Sequence, residues 1–225
     1  MPISGKGILM TAMNVDPAHE ADFNLWYDRE HLAERVAIDG FLEARRYQAI
    51  DAELKYFATY TTDAFADLSS PAYEQALANQ TAWSKSNLSR AQDMLRVVGR
   101  ITASCGQGRG AAMTVVRLRP GLSGSATVDT SKVQTWRDQI VQALDPGMVA
   151  GVISMHLIES DPDLSKSLTE PDKPNPGASD WFVLIEGTQA AATRALAQSR
   201  LTDVGLPIIS TNTYQLLWDL HKAEL

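Results

Sequence analysis

The strongest constraint on the fold is an order of elements that occurs twice. Short apolar runs rich in β-branched and aromatic residues fall at 7–15, 41–49, 55–62 and 95–103. Between them lie stretches with helical spacing and caps: one from Asp16, one from Ser70-Pro71 toward Trp83, and one over 86–94. The Gly-rich run 104–110 reads as a linker. The order then returns. A strand is expected at 111–118, after a loop at 120–125 a helix capped by Asp129 or Thr130 and running to Leu144, and a strand at 148–159. A polar loop at 160–179 holds Pro162, Pro171, Pro174 and Pro176, and a strand at 180–186, an Ala-rich helix at 189–200 and a strand at 210–218 follow.

Each half has the order β-α-β-β-α-β, the split βαβ or ferredoxin-like unit. An open four-stranded sheet with helices on one face leaves its other face bare, and two such units can bury those faces against each other. The expected class is therefore α+β: two tandem ferredoxin-like units, residues 1–105 and 111–225, with antiparallel sheets packed together and helices outside. The sheets would meet within the chain or across a homodimer.

The chain has a formal net charge of −7, and its Lys and Arg residues are scattered singly. That argues against nucleic acid as a partner, because nonspecific binding needs a positive field. Cys105 is the only cysteine, and no histidines show ligand spacing, so no disulfide and no metal site are expected. No apolar run is long enough to cross a membrane, and the start of the chain lacks a signal-peptide pattern. The expectation is a cytoplasmic protein.

Residues 16–39 carry the densest chemistry. Asp16 is a good N-cap, Pro17 suits the first helical position, and Gly40 ends the segment. On a helical wheel Ala21, Leu25, Leu32 and Val36 share one face, the expected core stripe. Phe23, Trp26, Tyr27, Glu30 and Glu34 form a second face too aromatic for an ordinary solvated surface. That face either packs on the rest of the protein, borders a ligand cavity, or meets another chain.

The run 23–32 (Phe-Asn-Leu-Trp-Tyr-Asp-Arg-Glu-His-Leu), then Gly40-Phe41 and Arg45-Arg46-Tyr47, resembles the dimeric α/β-barrel superfamily, most of all its EthD-like and related uncharacterised members. The resemblance covers about the first fifth of the chain. It implies ferredoxin-like units pairing through their sheets and a cavity between sheet and helices. It does not imply one activity: the superfamily holds cofactor-free monooxygenases, muconolactone-type isomerases, heme enzymes and proteins with no known reaction.

His31 is the candidate general base or acid. Asp28, three residues before it, could hold its ring in one tautomer, and Tyr27 could donate to a substrate oxygen. Arg46 could hold a carboxylate or enolate. Trp26, Arg46 and Tyr47 are the expected ligand-binding side chains. The structural alternatives are a helix-end His31 bonded to a carbonyl or to Asp28, and an Arg46 paired with Glu30, Glu34 or Glu43. Near a helix end, beside Asp28, His31 is expected to have a raised pKa. His156, on a strand, reads as a buried structural histidine; it is also the second half's one core-like candidate for a heme ligand. The expected function is binding of a small aromatic or carboxylated molecule, with cofactor-independent isomerisation or oxygenation as its chemistry. The alternative is a noncatalytic binding or assembly protein whose Trp26 face is an interface. No cofactor is expected, and only the first half carries the pattern, so one site per chain is expected.

Overall fold

The computed structural model describes residues 3–120, 130–166, 175 and 177–225. The expected cap at Asp129, the loop after Gly121 and Pro171, Pro174 and Pro176 lie outside them. In chain order the strands are β1 (Gly7–Val15), β2 (Phe41–Asp51), β3 (Tyr56–Thr62), β4 (Ala91–Gly106), β5 (Ala112–Leu118), β6 (Val152–Ser160), β7 (Trp181–Gly187) and β8 (Ile208–His221). The α-helices are α1 (Glu20–Trp26), α2 (Leu32–Ala37), α3 (Pro71–Ala78), α4 (Ala82–Ser89), α5 (Thr130–Ala143) and α6 (Ala190–Leu201).

The expectation of two ferredoxin-like units packed sheet on sheet is corrected. The eight strands form one closed antiparallel barrel in the order β1-β3-β2-β8-β5-β7-β6-β4, with short helices outside it. The edge strands of one half are hydrogen-bonded to those of the other: β2 pairs with β8, and β4 with β6. A free sheet edge exposes unpaired N–H and C=O groups, and closure removes it. Strand length makes this possible. The 16-residue β4 pairs with β1 over Ala91–Arg100 and with β6 over Gly99–Gly106. The 14-residue β8 likewise serves both β5 and β2. The expected linker is corrected too, because residues 104–106 belong to β4.

Because the barrel wall is covered on both sides, β3 and β7 are buried at every position. This fits their sequences, in which no position but Glu186 carries a charge. One set of alternating residues packs outward against helices: Leu9, Met13, Ala58 and Tyr60 in the first half, Val116, Leu157, Val183 and Ile185 in the second. The other set fills the lumen, including Ile8, Met10, Tyr47, Phe57, Val97, Met113, Leu184 and Tyr214. An eight-stranded barrel is just wide enough to be filled by side chains or to hold one small ligand.

The lumen has two unlike ends. At one end Glu186 accepts from Arg45 Nη1 at 2.8 Å, Arg109 Nε at 2.6 Å and the Gly110 amide at 3.1 Å. Arg109 also pairs with Glu43. His156 lies beside this plug, its ring nitrogens 3.0 Å from Ser104 Oγ and 3.1 Å from Ser154 Oγ. Two carboxylates balance two guanidiniums, the condition under which buried charge persists. Arg109, in the run read as a linker, thus closes one end of the barrel.

Candidate functional site

The segment after β1 begins as expected. Asp16 accepts from the Ala18 amide at 2.8 Å, and Pro17 opens a 3-10 turn. The core stripe is different. Leu25 is 50% exposed, and Ala21 is exposed as well, whereas Phe23, Trp26, Tyr27, His31, Leu32, Arg35 and Val36 are buried. Between α1 and α2 the five residues Tyr27–His31 form a π-helical turn. The wider turn rotates the following residues relative to a regular helix, bringing Trp26, Tyr27 and His31 onto the sheet side together. Single π turns of this kind occur often at functional sites.

Helix α4 covers this segment from outside. Its Ser84 hydroxyl accepts from the Trp26 indole at 3.0 Å and donates to Glu30 at 3.1 Å, and Thr81 donates to Glu30 at 2.6 Å. Trp83 and Asn87 both donate to Asp22. Trp26 is therefore wholly buried within its own chain, which corrects the reading of its face as an interface with another chain.

Beneath the helix the aromatic rings interlock. The His31 ring lies 4.2 Å from that of Trp26, 5.0 Å from Tyr27 and 6.0 Å from Tyr60 on β3, centroid to centroid. Arg46 points outward from β2 into the same layer. Its guanidinium carbon is 4.2 Å from the Tyr27 ring centroid, 4.9 Å from Tyr56 and 5.4 Å from Phe23. It donates to Asn24 Oδ1 at 2.5 Å and Asp28 Oδ1 at 3.2 Å. Its partners are thus not Glu30, Glu34 or Glu43.

Three polar atoms of this layer are buried without a hydrogen-bond partner: His31 Nδ1, Arg35 Nε and Arg46 Nε. The buried Tyr60 and Thr11 hydroxyls face the Tyr27 hydroxyl, which is their hydrogen-bonding neighbour. Buried polar groups are normally paired, and each exception calls for an explanation. The expected raised pKa of His31 is also corrected. Burial, then the charges of Arg35 and Arg46, hold the ring well below the usual histidine value, so it is neutral at pH 7. The helix continues through α2 to Ala37, so His31 is not at its end. Asp28 turns away to Arg46 and to the Trp218 indole, which donates to it at 3.0 Å. Burial also raises the pKa of Tyr27 and of Tyr60, which stay protonated donors.

The structure thus brings His31, Tyr27, Trp26 and Arg46 together and places Asp28 at the rim, its side chain 46% exposed. Tyr47 is not among them: its ring faces the lumen, on the other side of the sheet. Sequence reasoning missed Arg35, Tyr60 and Thr11. Tyr60 and Thr11 carry a signal only once β1 and β3 are known to pair and their alternation is read. His156 has both ring nitrogens engaged by serines, and burial and then Arg109 hold its pKa down to about 3. Neither nitrogen is free to bind a metal. No group of three or more His, Cys, Asp or Glu side chains suited to a metal occurs among the described residues. No helix among them is long and apolar enough to cross a membrane.

No protein-family model and no curated protein sequence matches this chain. Solved structures do. An anthrone oxidase-like protein superposes with a TM-score of 0.63 at 11% identity, over 99% of this chain and 96% of that one. A candidate monooxygenase from Lactobacillus acidophilus NCFM gives 0.55 at 8%, over 97% of each chain. A mutant chlorite dismutase from Candidatus Nitrospira defluvii gives 0.55 at 11%, over 95% of this chain and 92% of that one. At such identities the likeness is one of fold alone: the chain shares the fold of these proteins.

Proposed function

We propose that the chain binds a small aromatic molecule bearing an ionisable oxygen between the barrel wall and the helices of its first half, and that neutral His31 takes a proton from it. The observation that carries this reading is a buried neutral imidazole with an unpartnered Nδ1, beside the unpartnered Nε atoms of Arg35 and Arg46. A base of this kind must be unprotonated, and burial keeps it so. Arg46 and Arg35 supply positive charge where an enolate or phenolate would form, and the Tyr27, Tyr60 and Thr11 hydroxyls supply donors. The rings of Phe23, Trp26 and Tyr56 suit an aromatic ligand.

Two fold neighbours are named for oxidase or monooxygenase chemistry, and the favoured reaction is oxygenation without a cofactor. A methylene group activated by its neighbours loses a proton to His31, and the resulting anion is oxidised by dioxygen. The overall change is balanced: one methylene and one dioxygen give one carbonyl and one water. The carbon gives up both hydrogens and is oxidised, one oxygen atom stays on it, and the other leaves as water with the two hydrogens. Proton return to another carbon would instead give an isomerisation from the same base. On this reading residues 1–105 carry the site and residues 111–225 complete the barrel. At the corresponding layer of the second half, Thr114 bonds Thr193 at 2.8 Å and Thr213 at 3.2 Å, which supports a single site between sheet and helices per chain.

The test is a panel of hydroxylated and carboxylated aromatics, scored by thermal shift and by dioxygen uptake. Wild type should be stabilised by at least one compound and turn it over. His31→Gln should still bind it without dioxygen uptake or isomerisation, and Arg46→Met should bind it at least tenfold more weakly. Turnover undiminished in His31→Gln, or no stabilisation of wild type by any member, would overturn the reading.

A further inference from the structure

We propose that the end of the barrel lumen opposite the ionic plug is a second ligand site, independent of the His31 layer, which accepts a one- or two-ring apolar aromatic molecule carrying an ammonium group at the rim. The lumen holds a cavity of about 230 Å3 there. Its walls include Met10, Phe57, Val97, Val115, Phe182 and Tyr214, contributed by six different strands. Of the residues of the His31 cluster only Thr11, whose strand forms part of the wall, borders it.

The cavity has a built floor. Phe57 stacks on Tyr214 with centroids 5.1 Å apart, and Tyr47 lies 5.8 Å from Phe57 on the side toward the plug. Beyond Tyr47 the paired charges of Glu43, Arg45, Arg109 and Glu186 fill the barrel. The lumen is therefore closed at one end and open at the other. The lining side chains inside the lumen are themselves buried, so a void of this size among them forgoes contacts that a ligand would restore.

Size and charge identify the ligand class. An apolar cavity of roughly 150 Å3 accepts one benzene ring, so about 230 Å3 admits up to two fused rings. At the rim stand Glu53 and Asp93, both exposed. Asp93 accepts from Asn14 at 3.2 Å, and the rim cation Arg117 is bound to Asp180, which also pairs with Arg119. Three carboxylates (Glu53, Asp93 and Asp180) against two guanidiniums (Arg117 and Arg119) leave this end net negative: it attracts an ammonium group and repels a carboxylate. That preference is opposite to the one expected beside His31, where two guanidiniums stand.

The test uses the full chain with 13C-labelled methionine methyls, titrated with 2-naphthylmethylamine and separately with 2-naphthoate. The amine should shift the Met10 methyl and bind at least tenfold more tightly than the carboxylate. The double variant Glu53→Gln, Asp93→Asn changes only exposed groups and should erase that preference. Val115→Phe, which fills the cavity, should weaken the amine at least tenfold if it folds, and His31→Gln should leave it unchanged. A Met10 signal that does not move, a preference for the carboxylate, or a rim variant that keeps the preference would overturn the proposal. Loss of amine binding in His31→Gln would place the probe in the other layer and also overturn it.

Discussion

Acid should unfold this protein through its buried neutral histidines, and His156 allows the size to be worked out. Its ring is fully buried between Ser104 and Ser154, and burial with the charge of Arg109 lowers its pKa to about 3. In the unfolded chain the value is about 6.5. The folded pKa is depressed, so the stabilising contribution is fully present above about 6.5 and is lost as pH falls toward 3. Within that window the unfolded chain binds a proton that the folded one refuses, which costs about 1.4 kcal/mol per pH unit. From pH 6.5 to 5 the loss is therefore about 2 kcal/mol from this residue alone. His31 adds a loss of the same sign. Urea unfolding at pH 7.5 and 5.0 should be measured for wild type and His156→Gln. The wild type should lose about 2 kcal/mol more than the variant, with the His31 contribution cancelling in the comparison. Equal losses, at unchanged m-values, would refute the argument that His156 is buried neutral.

Three further outcomes follow from the packing. Glu186→Gln leaves Arg45 and Arg109 with one buried carboxylate fewer and should cost about 3–5 kcal/mol by denaturant titration; a cost below about 1 kcal/mol would show the plug to be solvated. Trp26→Ala removes a wholly buried ring and the bond to Ser84 and should cost about 3–5 kcal/mol, whereas an exposed interface residue would show little effect. Gly110→Ala places a Cβ into the backbone of Gly187 and should abolish cooperative melting; a wild-type melting curve would contradict the close approach of the two segments.

The strand pattern was largely legible because apolar alternation and turns are local signals. β1 lies where expected, and β3 and β5 differ by one residue at the start. Closure was not legible. Alternation shows which side chains share a face, but not whether an edge strand finds a partner, and the reach of β4 into residues 104–106 was hidden by a Gly-rich run. At the site, His31, Tyr27, Trp26 and Arg46 were readable from one helix and one strand. Arg35, four residues after His31, gave no signal of its own, because an arginine on a helix ordinarily reads as a solvated charge. The protonation of His31 was misjudged because the helix runs on to Ala37, and Asp28 faces Arg46 rather than the imidazole. The plug joins Glu43, Arg45, Arg109, His156 and Glu186 across much of the chain, and no spacing rule connects them.

The central claim is that His31 is a neutral base held beside two guanidiniums. An NMR pH titration of the His31 ring in the folded protein, with Arg46→Met measured alongside, tests it most directly. The account predicts an imidazole that stays neutral well below the usual value of about 6.5, with a pKa that rises when the Arg46 charge is removed. A wild-type ring titrating at or above about 6.5, or one indifferent to Arg46, would contradict it.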